Sequence, residues 1–325
     1  MPPRAQIPAP LAHEPFHVRE ALALGVSHRR LAGKAYRRLL PAVWAPADLE
    51  MTEERWWVAA RKYAPADARF TGATRLQQLG LDLGPHRPLQ MVVGRDLHRD
   101  CPEVFLHRSD VMPAHDDVAV SPEAVFVEVC RWFTVLDAVA AGDWLIKQGL
   151  LNPEVLARLC HDEPWRDGAE QARWVARLLD GRSRSVPESH VRLYFQAAGL
   201  PRPEVNVPVD VAGTLLTPDW WWRLFRVASE YEGSQHQTNR GQYVADIDRY
   251  QLYRSADIEY RQITRELKVT PRTVVRRVHE ALVAGGYSGP SPRFGVAFQA
   301  LNRTPREAMA AAPDLTVWTP VAPRR

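Results

Sequence analysis

The chain has 325 residues, a length that predicts two or three domains rather than one small module. Hydrophobic residues make up 46% and charged residues 25%, a globular composition that excludes a wholly disordered chain. The formal net charge of +4 permits nucleic-acid binding without requiring it.

Cellular location is indicated by what the sequence lacks. No stretch of about 18 uncharged apolar residues is present, so we expect no transmembrane helix and no membrane partner. The segment Met1–Phe16 is rich in proline and lacks the apolar core of a secretory signal. Three cysteines without a CxxC pair argue against a disulfide framework or a structural zinc cluster. These features predict a cytoplasmic protein with reduced thiols.

The first predicted elements form a basic N-terminal segment. Within 17–40, Lys and Arg number six and acidic residues one, a local net charge of +5. A short helix over 18–24 is followed by a turn, in which Ser27 can cap a second helix over about 28–39. An extended piece over 41–46 comes next.

Basic residues on the second predicted helix have spacings of i, i+4, i+7 and i+8, which place them on one face. A helix, a glycine-containing turn, a second helix and an extended pair follow one another as in a winged helix-turn-helix. We therefore predict a DNA-binding domain over 13–62, with a merely solvated basic helix as the alternative. The predicted DNA contacts are Arg29, Arg30, Lys34, Arg37 and Arg38.

The middle of the chain, 64–180, is predicted as a separate α/β domain. Thr52 can cap a helix through Tyr63 just before it, and short strands mixed with loops follow up to about residue 120. Three helices are predicted next, the second opened by the N-cap Asn152 with Pro153 at the first helical position. Their approximate ranges are 129–141, 153–159 and 170–179.

A polar, turn-prone run at 181–185 predicts the boundary of a third domain over 185–285. Its expected order is a helix, short strands, a helix, a strand and a helix, so the whole chain is predicted in the α/β (mixed α+β) class. The proline-rich tail, 286–325, is predicted to be largely irregular, with one helical turn from Thr304. The expected elements of the third domain are helices over 187–198, 238–254 and 271–284, strands on either side of Gly213, and strands over 225–232 and 258–263.

Carboxylates concentrate in one part of this third domain. Because side chains of a strand alternate between faces, Glu230 and Glu232 point the same way. Asp219 lies eleven residues before Glu230, where a hairpin can return it beside that glutamate. Converging carboxylates repel one another, and a hard divalent cation such as Mg²⁺ relieves the repulsion. His236 follows a glycine turn and could donate or accept a proton there.

Each of these residues also has a structural alternative. Asp219 could cap a turn, Glu230 could be a surface charge at a strand end, and Glu188 could pair with Arg192 along a helix. The run Trp220–Trp222 is predicted to pack in the core rather than to stack on nucleic-acid bases.

The third domain resembles the PD-(D/E)XK nuclease superfamily. It is most similar to the very-short-patch-repair-like endonuclease domains of uncharacterised actinobacterial proteins. The resemblance implies a restriction-endonuclease-like αβββαβ core over 185–285. The residues that carry it are Glu188, Pro218-Asp219, the run Glu230-Tyr-Glu-Gly-Ser-Gln-His236, and Asp246-Ile-Asp-Arg249.

The resemblance implies a metal-dependent DNA endonuclease with Mg²⁺, or Mn²⁺ in its place, as the cofactor. Asp219 and Glu230 would be metal ligands, and Glu232 would be a third, at the position of the final residue of the motif. Glu188 would orient a water molecule, and His236 would be the acid or base. All five would thus be catalytic residues.

Two positions depart from the pattern of this family. Glu232 stands where the branch has aspartate and the wider superfamily has lysine. Gln262 stands where an arginine is usual, which removes a phosphate-binding charge, although Arg261 and Arg265 are neighbours. An inactive nuclease fold is therefore an alternative to an active one.

The N-terminal part resembles AbiEi-type antitoxins. The runs Phe16-His-Val-Arg-Glu-Ala and Leu39-Leu-Pro-Ala-Val-Trp are similar to their N-terminal domain, and Val118-Ala-Val, Phe126-Val-Glu-Val and Thr134-Val-Leu-Asp137 to the domain that follows it. This implies a competing function, an antitoxin-type DNA-binding transcriptional regulator. A toxin or a second copy of the chain as partner, and a purely scaffolding role, stay open.

Overall fold

The computed structural model describes residues 7–97, 101–232, 249–264 and 270–318. The chain divides into two compact units, Met1–Val125 and Phe126–Arg325. This division falls within 64–180, for which the sequence predicts a single middle domain. Both units combine helices with small sheets, as the predicted mixed α+β class requires. Among the described helices, none is both long and apolar enough to cross a bilayer.

The first unit contains two three-stranded sheets. Its elements are β1 Phe16–His17, α1 Val18–Ala23, α2 His28–Leu31, β2 Tyr36–Leu40, β3 Val43–Pro46, α3 Glu53–Tyr63, β4 Arg69–Phe70, α4 Gly72–Gln78, β5 Leu89–Val93 and β6 Val104–Arg108. In the first sheet, β3 lies between β1 and β2 and is antiparallel to both. In the second, β5 lies between β4, which is antiparallel to it, and β6, which is parallel.

The predicted helix caps of this unit are present. The Ser27 side chain accepts a hydrogen bond from the Arg30 backbone N–H, 3.3 Å away, at the start of α2. The Thr52 side chain accepts one from the Arg55 backbone N–H, at 3.4 Å, at the start of α3. These bonds satisfy N–H groups that have no partner within the helix.

The prediction that the second helix continues to residue 39 is wrong. α2 ends at Leu31, and the chain from Tyr36 onward is the strand β2. Gly33 favours a helix end because glycine loses more backbone freedom in a helix than other residues. The turn at Ala42, with φ of 63°, then folds β3 back against β2, so pairing between strands replaces the helix.

Both sheets of the first unit rest on buried apolar side chains. One cluster fills the space around the first sheet and α1, and the other lies around α3 and the second sheet. The largest members of the two clusters are Phe16, Leu31 and Tyr36 in the first, and Tyr63, Phe70 and Met91 in the second.

The second unit contains a four-stranded sheet, a two-stranded hairpin and several helices. Its elements are α6 Val135–Lys147, α7 Pro153–Asp162, α8 Ala169–Ala176, α9 Val186–Ala197, β7 Glu204–Val205, β8 Val209–Val211, β9 Thr214–Leu216, β10 Trp220–Trp222, β11 Val227–Glu232, β12 Glu259–Thr264, and helices Pro271–Ala284, Val296–Ala300 and Pro305–Ala311. The helix α5, Pro122–Trp132, contains the division between the units, and 249–255 is also helical.

The single helix predicted over 129–141 is instead two helices. α5 ends at Trp132 and α6 begins at Val135. The Thr134 side chain accepts a hydrogen bond from the Asp137 backbone N–H, at 3.2 Å, and so opens a new helix. A threonine that caps a helix start takes extended backbone angles, which interrupt the preceding helix.

The four-stranded sheet has the order β12-β11-β10-β7. β10 is antiparallel to β7 and β11, and β11 is parallel to β12. Phe195 of α9 packs edge-on against Trp220 and Trp222, whereas Trp221 belongs to the apolar cluster that contains Tyr253. Both faces are therefore covered, which explains why all three tryptophans are at most 4% exposed. Their predicted core role is confirmed.

The tail beyond residue 285 is more regular than predicted, as far as residue 318. Phe298, Leu301 and Leu315 are buried, which holds the tail against the rest of the second unit. Thr304 and Glu307 form the predicted capping box. Pro305 stands at the first helical position, where its missing N–H costs no helical hydrogen bond, so proline content here did not prevent helix formation.

Candidate active site

Strand register brings Asp219 and Glu230 to the same end of the sheet. Trp220 of β10 is paired with Ser229 of β11 in antiparallel register, so Asp219 and Glu230 are the next residues along the two strands. The Tyr231 backbone N–H donates a hydrogen bond to Asp219 Oδ2 at 2.7 Å, which fixes the carboxylate against β11. The structure thus places Asp219 beside Glu230, as the sequence predicts.

Glu188 reaches this region from the first turn of α9. Its carboxylate accepts hydrogen bonds from Ser185 Oγ, the Arg184 backbone N–H and Asn206 Nδ2, each at 2.8 Å. The side chain is 6% exposed, and these donors hold it in one position. It does not pair with Arg192, so that alternative is wrong.

The environment of Asp219 raises its pKa. Burial, together with the negative charges of Glu188 and Glu230, raises the pKa of Asp219 from 3.8 to about 7. The Tyr231 N–H and the Arg184 charge oppose this rise without cancelling it. Asp219 is therefore a buried acid with two acidic neighbours, an environment that is common at functional sites.

Glu230 is surrounded by donors that the sequence analysis missed. Arg249 Nη2 lies 2.7 Å from Glu230 Oε1, and Tyr253 Oη donates to the same oxygen at 3.0 Å. Tyr260 Oη donates to Glu230 Oε2 at 3.5 Å. The rings of Tyr253 and Tyr260 are stacked, with centroids 5.0 Å apart. Arg249 is part of the run Asp246-Ile-Asp-Arg249, but nothing in the sequence predicts its contact with Glu230.

Burial has the largest influence on the pKa of Glu230. It raises the pKa of Glu230, and the contacts with Arg249, Tyr253 and Tyr260 oppose the rise. Burial and the Glu230 charge also raise the pKa of both tyrosines, so both stay protonated donors. Glu230 therefore lies in a polar cage whose donors all favour its ionised form.

The remaining predicted site residues have different positions. Glu232 lies two residues beyond Glu230 on the same strand, opposite Thr264, and its charge acts on Tyr260. Gln262 is the register partner of Glu230 on β12. His236 and Asp246 lie outside the described residues.

The described residues do not form a complete metal cage. Within them, no group of three or more His, Cys, Asp or Glu side chains is placed to hold a metal ion. Mg²⁺, however, is commonly bound by one or two carboxylates, with water completing its shell. Asp219 and Glu230 can meet that requirement, since they occupy neighbouring register positions, although Arg249 contacts Glu230.

The predicted DNA contacts of the first unit do not share one helix face. Arg29 is exposed on α2 and Lys34 is exposed in the turn after it, while Arg37 and Arg38 are exposed on β2. Arg37 donates from Nη2 to the Leu49 carbonyl, and Arg38 donates from Nε to the Leu40 carbonyl at 3.4 Å. Arg30, also on α2, is only partly exposed. The basic residues therefore spread over a helix, a turn and an edge strand.

A buried ion pair joins α6 to α9, the helix that carries Glu188. Arg192 Nη2 lies 2.8 Å from Asp143 Oδ2, and their side chains are 3% and 1% exposed. Asp143 also accepts hydrogen bonds from Ser189 Oγ at 2.7 Å and the Asp180 backbone N–H at 2.6 Å. This network ties α9 to α6.

Comparison with known proteins gives distant relatives. No protein-family model and no solved structure matches the chain. It is similar to two Mycobacterium tuberculosis proteins, "Uncharacterized protein MT2308" of strain CDC 1551 and "Uncharacterized protein Rv2248" of strain H37Rv. Each is 28% identical over 134 residues, which is 41% of this chain and 49% of the relative. The chain thus spans about half the length of these relatives.

Proposed function

We propose that this protein is a metal-dependent DNA endonuclease whose site lies in the second unit. The observation that carries the proposal is the convergence of Asp219, Glu230 and Glu188, with the pKa of Asp219 raised to about 7. Clustered carboxylates with a perturbed pKa are common at sites that bind a cation or transfer protons.

The order of elements supports this proposal. α9, β7, β10, β11, the helix at 249–255 and β12 follow one another in the order αβββαβ, with the hairpin β8–β9 inserted. This is the order expected from the resemblance to PD-(D/E)XK nucleases. Asp219 immediately precedes β10 and Glu230 lies on β11, at neighbouring register positions of the two strands.

The roles of the residues follow from their environments. Asp219 and Glu230 would hold Mg²⁺ or Mn²⁺, and Glu232 would be placed to contribute from the same strand face. When bound, the cation neutralises developing charge on a phosphodiester and lowers the pKa of an attacking water. Glu188 is fixed by three donors, so it would act by its charge and by orienting water rather than by changing position.

A cleavage assay tests the proposal. The wild-type chain, with Mg²⁺ or Mn²⁺, is expected to cut supercoiled plasmid or single-stranded DNA, and EDTA is expected to stop it. Glu230→Gln should lower the rate about 100-fold or more, because it removes a carboxylate that would hold the cation. Glu259→Gln is the matched control, since Glu259 lies on the same sheet at the other end of β12 and pairs with Arg261 at 2.6 Å. Equal cutting by wild type and Glu230→Gln would contradict the proposal.

The first unit would dock DNA in this proposal. α1, the turn, α2 and the hairpin β2–β3 have the order of a small winged helix-turn-helix, and exposed basic residues lie along it. The same layout supports the second candidate function, a DNA-binding regulator of antitoxin type. The Arg249 contact on Glu230 and the neutral Gln262 beside it favour that alternative.

Salt dependence tests the docking role. Arg29→Ala and Lys34→Ala should each weaken duplex binding and reduce the slope of log K against log salt by about one per lost phosphate contact. Arg95→Ala is the control, because Arg95 is an exposed arginine of the same unit that pairs with Asp67 at 2.6 Å. Duplex binding without cleavage by the wild type would favour the regulator. If neither substitution changes duplex binding, this surface has no role in either function.

A further inference from the structure

Arg249 is in direct contact with Glu230, a carboxylate of the candidate site. Besides its contact with Glu230, Arg249 Nη2 lies 3.2 Å from the Thr217 carbonyl oxygen. The Arg249 side chain is 33% exposed, whereas that of Glu230 is 16% exposed. The guanidinium can therefore reach solvent, while the carboxylate stays inside.

Both oxygens of Glu230 are occupied in this arrangement. Oε1 contacts Arg249 and Tyr253, and Oε2 contacts Tyr260. Oε1 already has two donors, so a divalent cation can take this oxygen as a ligand only if one of them moves away. Arg249 is the one that must move, because its positive charge would repel a cation bound at the same oxygen, whereas a neutral tyrosine would not.

The displaced guanidinium of Arg249 could bind a phosphate oxygen. Gln262, opposite Glu230 on β12, carries no charge, and Arg261 is engaged with Glu259 at 2.6 Å. A planar guanidinium with several N–H donors is suited to phosphate oxygens. Arg249 is attached to the same helix as Tyr253, so it stays close to the carboxylates after its release.

We propose that Arg249 is a resident cation, which holds Glu230 until a divalent metal displaces it and then contacts the phosphodiester. The proposal rests on the proposed function, since it assumes that Glu230 binds metal. It makes Arg249 a catalytic residue that also sets the affinity of the site for its cofactor. Arg249 would then compensate for the neutral Gln262, because the positive charge that contacts the phosphate would come from the helix at 249–255 instead of from β12.

Metal binding and cleavage together test this inference on the full chain. Mn²⁺ binding is measured from the electron paramagnetic resonance signal of the free ion, for the wild type, Arg249→Gln and the control Arg254→Gln. Arg254 is exposed on the same helical segment. Arg249→Gln is expected to bind Mn²⁺ about tenfold more tightly, equal to about 1.4 kcal/mol, because the competing charge is gone. At saturating Mn²⁺ its cleavage should be about 100-fold slower, because the phosphate contact is lost.

A second measurement needs no variant. Phenylglyoxal modification of Arg249 in the wild type, located by mass spectrometry, is expected to be faster with Mn²⁺ than without, because the metal frees the guanidinium. Unchanged or slower modification would overturn the inference, as would an Arg249→Gln protein with unchanged or weaker Mn²⁺ affinity or with full cleavage. If neither wild type nor variant binds Mn²⁺, the proposed metal site itself fails, which is a different result.

Discussion

Asp219→Asn is expected to abolish metal-dependent cleavage and, at the same time, to stabilise the metal-free protein at pH 8. The activity loss should be about 1,000-fold or more, because the variant lacks a charge that would bind the cation. The amide is nearly the same size as the carboxylate, and its oxygen can still accept the Tyr231 N–H. A gain in stability with a loss of activity would identify a residue kept for function rather than for folding.

The stabilisation follows from the raised pKa of Asp219. The folded-state pKa of about 7 exceeds the reference value of 3.8, so the folded protein binds more protons than the unfolded chain between these values. The free energy of unfolding of the wild type therefore falls as pH rises from about 4 to 7. The asparagine variant lacks this loss and should be about 1 to 3 kcal/mol more stable at pH 8, with the difference shrinking towards pH 4.

Urea unfolding in EDTA at pH 4, 6 and 8 measures this difference. Glu259→Gln serves again as the control, because Glu259 lies on the same sheet away from the carboxylate cluster. A variant that is less stable than wild type at pH 8 would show that Asp219 has a structural role. Addition of Mg²⁺ should raise the stability of the wild type and leave that of Asp219→Asn unchanged.

Asp143→Ala is expected to lower the free energy of unfolding by about 3 to 5 kcal/mol, the cost of leaving a buried partner charge uncompensated. Arg192, the partner, is 3% exposed and cannot reach bulk water. The substitution also removes the acceptor of the Ser189 hydroxyl and the Asp180 N–H. We expect the loss to appear as a lower urea midpoint with little change in the slope.

A double variant distinguishes the contribution of the two buried charges to stability from that of side-chain packing. Asp143→Leu combined with Arg192→Met removes both charges and should recover much of the lost stability, since an apolar pair can replace a buried ion pair. Asp162→Ala, an exposed aspartate of the same unit, should change stability by no more than about 0.5 kcal/mol. A double variant no more stable than Asp143→Ala would show that the ion pair orients α9 in a way that apolar packing cannot replace.

Local signals predicted much of the fold because they act over a few residues. The caps at Ser27, Thr52, Asn152 and Thr304 each mark the start of a helix, as expected. The short strands predicted on either side of Gly213 are also present. A cap or a turn depends on adjacent side chains and backbone angles, so its outcome can be inferred without distant contacts.

The prediction of the second helix was wrong for the opposite reason, because pairing with another strand decided the structure. The spacing of Arg30, Lys34, Arg37 and Arg38 suits a helix, yet β2 forms because β3 pairs with it and because Tyr36 and Leu40 become buried. Strand pairing outweighed a modest helical pattern. Gly33 was the available local sign that the helix ends early.

The sequence by itself determined where the carboxylates lie along the strands. It placed Glu230 and Glu232 on one strand face and put Asp219 within a hairpin's reach, since strand alternation and turn length are local properties. Only the tertiary structure decided that burial and the Glu188 charge raise the pKa of Asp219 and that Arg249 contacts Glu230. These contacts join residues 19 to 31 positions apart on separate elements, and chain folding, not spacing, sets the distances between them.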